Sequence, residues 1–335
     1  MNKKGLTAAI IFTIVFAISF FIRNRNSNIY QYNEGTVFGT LYHISYEYPK
    51  DLHSEIRIEL KKFDNSLSTF NPNSVISRIN QNDSTVQPDT WFMRVFTKGL
   101  EVSEATNGSF NMTVAPLVNM WGFGFKKSES VTQAKIDSVL QFVGIDKVRI
   151  KNNRIEKSDT RLMLDASAIA KGYACDVIGE LLAAKGIQNF MVEIGGEVYA
   201  NGKNDHHECW RIGINKPIED KSAQSGEIQD VISLCNSGMA TSGNYRNFYY
   251  KDGKRYAHTI NPHTGFPVQH SLLSATVIAP DCMTADAFAT AFMVMGVEKS
   301  MKLVEKNPEL EAYFIYDDNG QNRVVMSNGF KERIK

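Results

Sequence analysis

The sequence predicts an α+β protein with largely antiparallel sheets. Two observations carry that prediction. Segments with apolar residues at helical spacing are mixed with short runs rich in β-branched and aromatic residues, without a clean strand–helix–strand rhythm. Strand pairs are also joined by residues that tolerate left-handed backbone, Asn152-Asn153 and Asn319-Gly320, as expected of antiparallel hairpins. The chain has 335 residues, 43% hydrophobic and 22% charged, enough for one bilobed domain or two small ones. Its formal net charge of +1 provides no field to attract nucleic acid, which is excluded as an expected partner.

In chain order, the first element stands apart from the rest. Residues 1–27 begin with Lys3 and Lys4, followed by an uncharged apolar run of 17 residues, Leu6–Ile22, and then Arg23 and Arg25. That length is at the short end of a membrane span (about 17–25 residues) and long for the core of a secretory signal. The expectation is an uncleaved anchor with residues 28–335 exported as one domain. A cleaved signal is the second reading. A buried core helix fits poorly with the polar residues that follow.

After the anchor, the alternating stretch from Val37 to Pro49 reads as a strand. Ile56, Leu60 and Phe63 mark a first helix; Phe92, Val95, Phe96 and Leu100 mark a second, stopped by Asn107-Gly108. The hairpin around Asn152-Asn153 leads into an apolar strand, Leu162–Leu164, that ends on Asp165. From Ala168 to Lys185, Ile169, Tyr173, Val177, Leu181 and Leu182 form one helical stripe with Gly186 as its stop. The segments around Val192 and Ile212 read as paired strands, with Gly195-Gly196 marking a bulge or a close backbone approach. A helix follows from Met283, in two segments around Gly296, and a hairpin turning at Asn319-Gly320 comes last. Cys175, Cys209, Cys235 and Cys282 have no metal-binding spacing and read as buried thiols, with room for one bridge.

Five segments have residue types suited to chemistry. Asp165 and Lys171 flank a small-residue turn at a helix start, where free N–H groups attract anions; an ordinary capping Asp and a surface Lys are the alternative. Asp286 and Thr290 lie four apart on one helix face, a carboxylate and a hydroxyl suited to Mg²⁺ but too few to enclose it. A Thr bonded back to its own helix would explain the same pair. His258 precedes a loop punctuated by Pro and Gly, and is either catalytic or structural; His263 and His270 read as solvated. The small residues and glycines of residues 236–248 permit close backbone approach, with Arg246 a candidate phosphate contact. Phe110, Trp121, Phe123 and Phe125 are either stacking surfaces for a planar heterocycle or core.

In this order, "FGTLY", "NGSFNMTVAPLVNMWGFG", "DASAIAKGYACD", "VEIGGEVYANG", "TSGNYRNF", "AHTINPHTG" and "TADAFATA" resemble the landmarks of the ApbE family of FAD:protein FMN transferases. The resemblance runs from about Val37 to about Gly296. It implies a bilobed single domain with an FAD and Mg²⁺ site between the lobes. It also implies an exported enzyme, membrane-anchored with its catalytic domain in the periplasm. The implied reaction is Mg²⁺-dependent transfer of FMN from FAD to a threonine hydroxyl of an acceptor protein, such as a subunit of a membrane redox complex, with release of AMP. FAD hydrolysis to FMN and AMP is the neighbouring activity, and a non-catalytic, membrane-tethered flavin-binding protein is the alternative from another class.

By that resemblance His258 matches the residue that activates the acceptor, and Asp165 and Lys171 match contacts to FAD. Phe38, the triplet Ser109-Phe110-Asn111 and Ile260 match further cofactor contacts, and Ala168 (through its carbonyl), Asp286 and Thr290 match metal ligands. The chain departs from the family at Phe38, where Met is usual, and at Asn111 and Asn261, where Asp is usual. The family's frequent lipoprotein cysteine is replaced by the apolar run.

Overall fold

A computed structural model describes residues 29–124, 131–218, 227–244, 248–251 and 254–335. The expected anchor, Phe125 and Arg246 lie outside the described residues. Among the described residues, no helix is long and apolar enough to cross a membrane.

The elements in chain order are β1 (Tyr30–Val37), β2 (Thr40–Glu47), α1 (His53–Leu67), α2 (Val75–Asn80), α3 (Thr90–Ala105), α4 (Ala115–Met120) and α5 (Gln133–Leu140). Then come β3 (Val148–Lys151), β4 (Arg154–Lys157), α6 (Ala170–Ala184), β5 (Phe190–Ile194), β6 (Glu197–Asn201), β7 (Trp210–Asn215) and β8 (Ile228–Leu234). The chain continues through β9 (Ser237–Gly243), β10 (Phe248–Lys251), β11 (Lys254–Ala257), β12 (Leu272–Ala279), α7 (Cys282–Met295) and α8 (Val297–Val304). It closes with β13 (Glu311–Asp318), β14 (Gln321–Met326) and α9 (Asn328–Arg333).

One antiparallel sheet organises the molecule, in the order β1-β2-β5-β6-β9-β12-β13-β14, which matches the expected α+β class. Side-chain alternation along its strands serves two cores. Ala275, Val277, Ala312 and Phe314 face the main core beneath α1, α3, α6 and α7; Ile278, Tyr313 and Ile315 face a second core under the β7–β8 ribbon and Phe330 of α9. A third, smaller cluster joins Leu117, Met120 and Trp121 to Ile136 and Ile260; Trp121 Nε1 donates to the Gly265 carbonyl at 2.8 Å. The cavity described below has walls from the first and third clusters, so the bilobed expectation holds.

Three local expectations are corrected. The stretch from Val37 is not one strand: Phe38 (φ 52°) and Gly39 (φ 74°) make the tight turn between β1 and β2. Leu162–Leu164 is not a strand either. Its backbone is served elsewhere: the Asn80 side chain both donates to the Leu164 carbonyl (2.8 Å) and accepts from its N–H (2.7 Å), so no sheet ladder is needed. β5 pairs with β6 across a Gly195-Gly196 turn with φ 64° and 100°, and β7 pairs with β8 instead. His270 is exposed, as expected, although its Nε2 lies 2.8 Å from the Met293 carbonyl and partial desolvation lowers its pKa.

The cysteines divide. Cys209 and Cys235 form a disulfide that ties the lead into β7 to the end of β8, while Cys175 and Cys282 are buried thiols. Helix α7 is apolar nearly all round and runs through the interior. Its start is fixed from three sides. A Cβ on Gly172 would come 2.3 Å from the Cys282 carbonyl oxygen, and one on Gly238 would come 2.2 Å from the Cys282 nitrogen. Asp176 of α6 accepts the N–H groups of Cys282 and Met283, both at 2.8 Å, and Asp281 accepts that of Thr284 at 2.7 Å.

Candidate active site

A cavity of about 450 Å³ opens between the main core and the smaller lobe, the size of a small-ligand pocket. It gathers Asp165, Ala168 and Lys171 from the start of α6, Asp286 and Thr290 from α7, Ser109, Phe110 and Asn111 from the loop after α3, and His258 and Ile260 from the segment after β11. Phe38 is the exception. It does not line the cavity, and its ring packs on Phe63 with centroids 5.5 Å apart.

The wall at α6 follows from local backbone chemistry. Asp165 Oδ1 accepts the Ser167 N–H at 2.8 Å, a turn that ends the extended segment; burial raises the pKa of the carboxyl, and that N–H opposes the shift. The Gly172 N–H donates to Asp286 Oδ2 at 3.0 Å, not to the carbonyl four residues back. The Ala168 carbonyl is thereby left without the partner that a longer helix would give it. Burial raises the pKa of Asp286 as well, against the opposing influence of Lys171 and the Gly172 N–H.

Lys171 donates to Glu197 Oε1. Burial disfavours the ammonium, but the carboxylates of Glu197 and Asp286 outweigh it and raise its pKa. Burial pushes Glu197 up to about 7, opposed by Lys171 and reinforced by Asp286. Thr290 Oγ1 lies 3.1 Å from Ser242 Oγ, so its hydroxyl turns toward β9 and not back on its own helix.

On the facing wall, His258 is half-buried just past β11, its ring edge-on to Phe123 at 6.4 Å. Phe123 continues into a stack of Tyr249, Tyr256 and Trp121 with neighbouring centroids 5.2–5.5 Å apart. Asn111 Oδ1 accepts from both the N–H (2.9 Å) and the hydroxyl (2.7 Å) of Thr113, a duty the amide oxygen performs without a charge. Phe110 is buried and belongs to the core as much as to the cavity.

The donor set fits a hard divalent cation. The second Asp286 oxygen, the Thr290 hydroxyl and the Ala168 carbonyl are all oxygen donors, the kind Mg²⁺ takes together with waters and substrate phosphates. Among the described residues, no three His, Cys, Asp or Glu side chains cluster as a closed metal cage, so the remaining ligands would come from solvent and phosphate.

Among the cavity residues that the sequence does not mark, two carry functional chemistry. Glu197 stands directly after the Gly195-Gly196 turn and is 3% exposed; its signal was a charge on the strand face that also carries Tyr199 toward the helices. Phe70 is 80% exposed at the cavity rim, an aromatic side chain in the otherwise polar stretch from Ser68 to Ser74.

Comparison with known proteins agrees with this geometry. The profile described as the ApbE family matches residues 38–314. An FAD:protein FMN transferase of Haemophilus influenzae is 38% identical over 304 residues, covering 85% of this chain and 86% of the relative. One from Vibrio cholerae is 37% identical, covering 88% and 90%. Among solved structures, the flavin transferase ApbE from Vibrio cholerae superposes with a TM-score of 0.82 at 35% identity, over 91% of this chain and 99% of that one. The apo flavinyl transferase ApbE of Pseudomonas stutzeri gives 0.81 at 31% identity, over 91% and 96%.

Proposed function

The chain belongs to the ApbE family, and we propose that it is an FAD:protein FMN transferase whose acceptor is a protein threonine. The observation that carries this reading is the convergence in one cavity of Asp165, Lys171, Asp286, Thr290 and His258.

In the proposed reaction the acceptor hydroxyl attacks the phosphorus of the FMN half of FAD. The new O–P bond forms as the bond to the AMP phosphate oxygen breaks, and AMP leaves. A threonine hydroxyl hardly ionises at neutral pH, so its proton must be accepted during attack. His258 faces the cavity with an imidazole suited to that duty. Lys171 supplies a fixed positive charge for the diphosphate, and the aromatic rim at Phe70 and Phe123 offers flat apolar surface for a ring system. Asp286, Thr290 and the Ala168 carbonyl would hold Mg²⁺, which stabilises charge on phosphoryl oxygens when bound.

The setting is proposed to be extracytoplasmic, with residues 1–27 as membrane anchor and acceptors among membrane redox subunits. The Cys209–Cys235 disulfide supports an oxidising compartment.

The deciding experiment incubates the chain with FAD, Mg²⁺ and a protein bearing an accessible threonine acceptor, following acceptor mass and AMP together. An acceptor mass gain of one FMN less water, with equimolar AMP, is expected. AMP with free FMN and an unmodified acceptor would make the enzyme a hydrolase toward that partner. Bound FAD without AMP would remove catalysis altogether. In the same assay Asp286→Ala is expected to lose its response to Mg²⁺.

A further inference from the structure

Three charged groups from three elements meet at one wall of the cavity. Lys171 comes from α6, Glu197 from β6 and Asp286 from α7, with side chains 33%, 4% and, for the whole residue, 3% exposed. The Lys171 stem crosses the Gly195-Gly196 turn closely enough that a Cβ on Gly195 would stand 3.4 Å from its Cδ. The ammonium then ends on Glu197 Oε1, although the Asp286 carboxylate also attracts it. Asp286 is held differently, by the Gly172 N–H on Oδ2.

Glu197 is poorly explained as a structural strut. Its second oxygen, Oε2, is buried without a hydrogen-bond partner among the described residues, and its side-chain partner is Lys171. A buried carboxylate kept half unsatisfied is a costly packing choice, so its value lies in what it does to the lysine. Two carboxylates compete for one ammonium at low dielectric, and whichever holds it is neutralised.

We propose that Glu197 is a positioning residue that draws the Lys171 ammonium onto itself, leaving Asp286 un-neutralised as a cation ligand. The ammonium is then stationed at the cavity wall where a phosphate charge would lie. The proposal rests on the functional reading above for the identity of the ligands, but not for the placement of the lysine.

The test uses the full chain in two measurements. In a crystal structure of Glu197→Gln, the Lys171 ammonium is expected on Asp286; an ammonium that stays where it is would overturn the proposal. Mn²⁺ binding, followed by electron paramagnetic resonance, is then compared for wild type, E197Q, K171M and the double variant. E197Q is expected to weaken Mn²⁺ binding about tenfold, and this effect should vanish in the K171M background. An equal loss in both backgrounds would mean that Glu197 acts through its own charge, and would overturn the proposal. Glu197→Asp, which keeps the carboxylate, is expected to restore most of the affinity, and serves in both measurements if the Gln variant does not fold. If wild type binds no Mn²⁺, the metal reading fails, and the crystallographic position of Lys171 decides the proposal by itself.

Discussion

His258 stands half-buried at the edge of the cavity, with the flat side of the smaller lobe's aromatic stack behind it. Its proposed duty is limited to one proton, which makes it separable from binding. His258→Ala is expected to slow transfer by about 10²–10⁴-fold, the usual worth of a general base, with FAD affinity nearly unchanged. Single-turnover transfer and FAD titration on the same preparation check this, and an equal loss in both would assign His258 to binding. Glu197 gives a second test at this scale. Its carboxyl is pushed up to about 7 in the folded chain, from an ordinary value of 4.5. Between those values the folded state holds a proton that the unfolded state has released, so stability falls as pH rises through that window. Urea unfolding at pH 5 and pH 7.5 is expected to show a shallower loss for Glu197→Gln than for wild type.

At the scale of elements, the site depends on how α7 is seated. Gly172 and Gly238 bring α6 and β9 against the first residue of α7, and Asp176 caps that end from a neighbouring helix. Gly172→Ala sets two effects against each other. Alanine favours a helix by up to ~1 kcal/mol, but here its Cβ would meet a backbone carbonyl at 2.3 Å, which cannot swing aside. Overpacking is expected to win, with a net loss of about 1–3 kcal/mol in chemical denaturation. Metal-dependent turnover should fall with it, because Asp286 is held by the N–H of that glycine. Elements of this kind differ in how visible they are in sequence. The hairpins at Asn152-Asn153 and Asn319-Gly320 were legible because their turn residues adopt positive φ, as their chemistry predicts. Helices α1, α3 and α6 followed from apolar spacing. The turn at Phe38 was not legible, since a phenylalanine with φ 52° gives no such signal. Nor was the extended segment before Asp165, whose partner is an Asn side chain 84 residues away. Of the residues that the family resemblance assigns, all but Phe38 reach the cavity, while Trp121 does not line it; Glu197 escaped notice because its partner, Lys171, lies in another element.

At the scale of the molecule, the β7–β8 ribbon covers the sheet face opposite the helices and is joined to itself by Cys209–Cys235. The bond closes a stretch with a sequence separation of 26, for which chain-entropy arguments suggest a contribution of about 3 kcal/mol. Reduction is therefore expected to lower the thermal midpoint by several degrees and to leave flavin transfer intact, because the ribbon lies away from the cavity lining. Melting curves and activity with and without reductant check both halves of that statement.

The cavity wall has a further consequence in the order of synthesis. Its contributors run from Thr69 to Val294, and the wall at α6 is incomplete until α7 has docked under the sheet. A ribosome delivers the N-terminal part of the chain first, and contacts between distant residues form late. A nascent or truncated chain lacking α7 therefore has half a pocket and lacks Asp286 and Thr290, the two side chains proposed to hold the metal. In the proposed reaction, FAD cleavage is withheld until synthesis has passed α7 and that helix has docked, so the ability to cut FAD certifies that the site has been assembled.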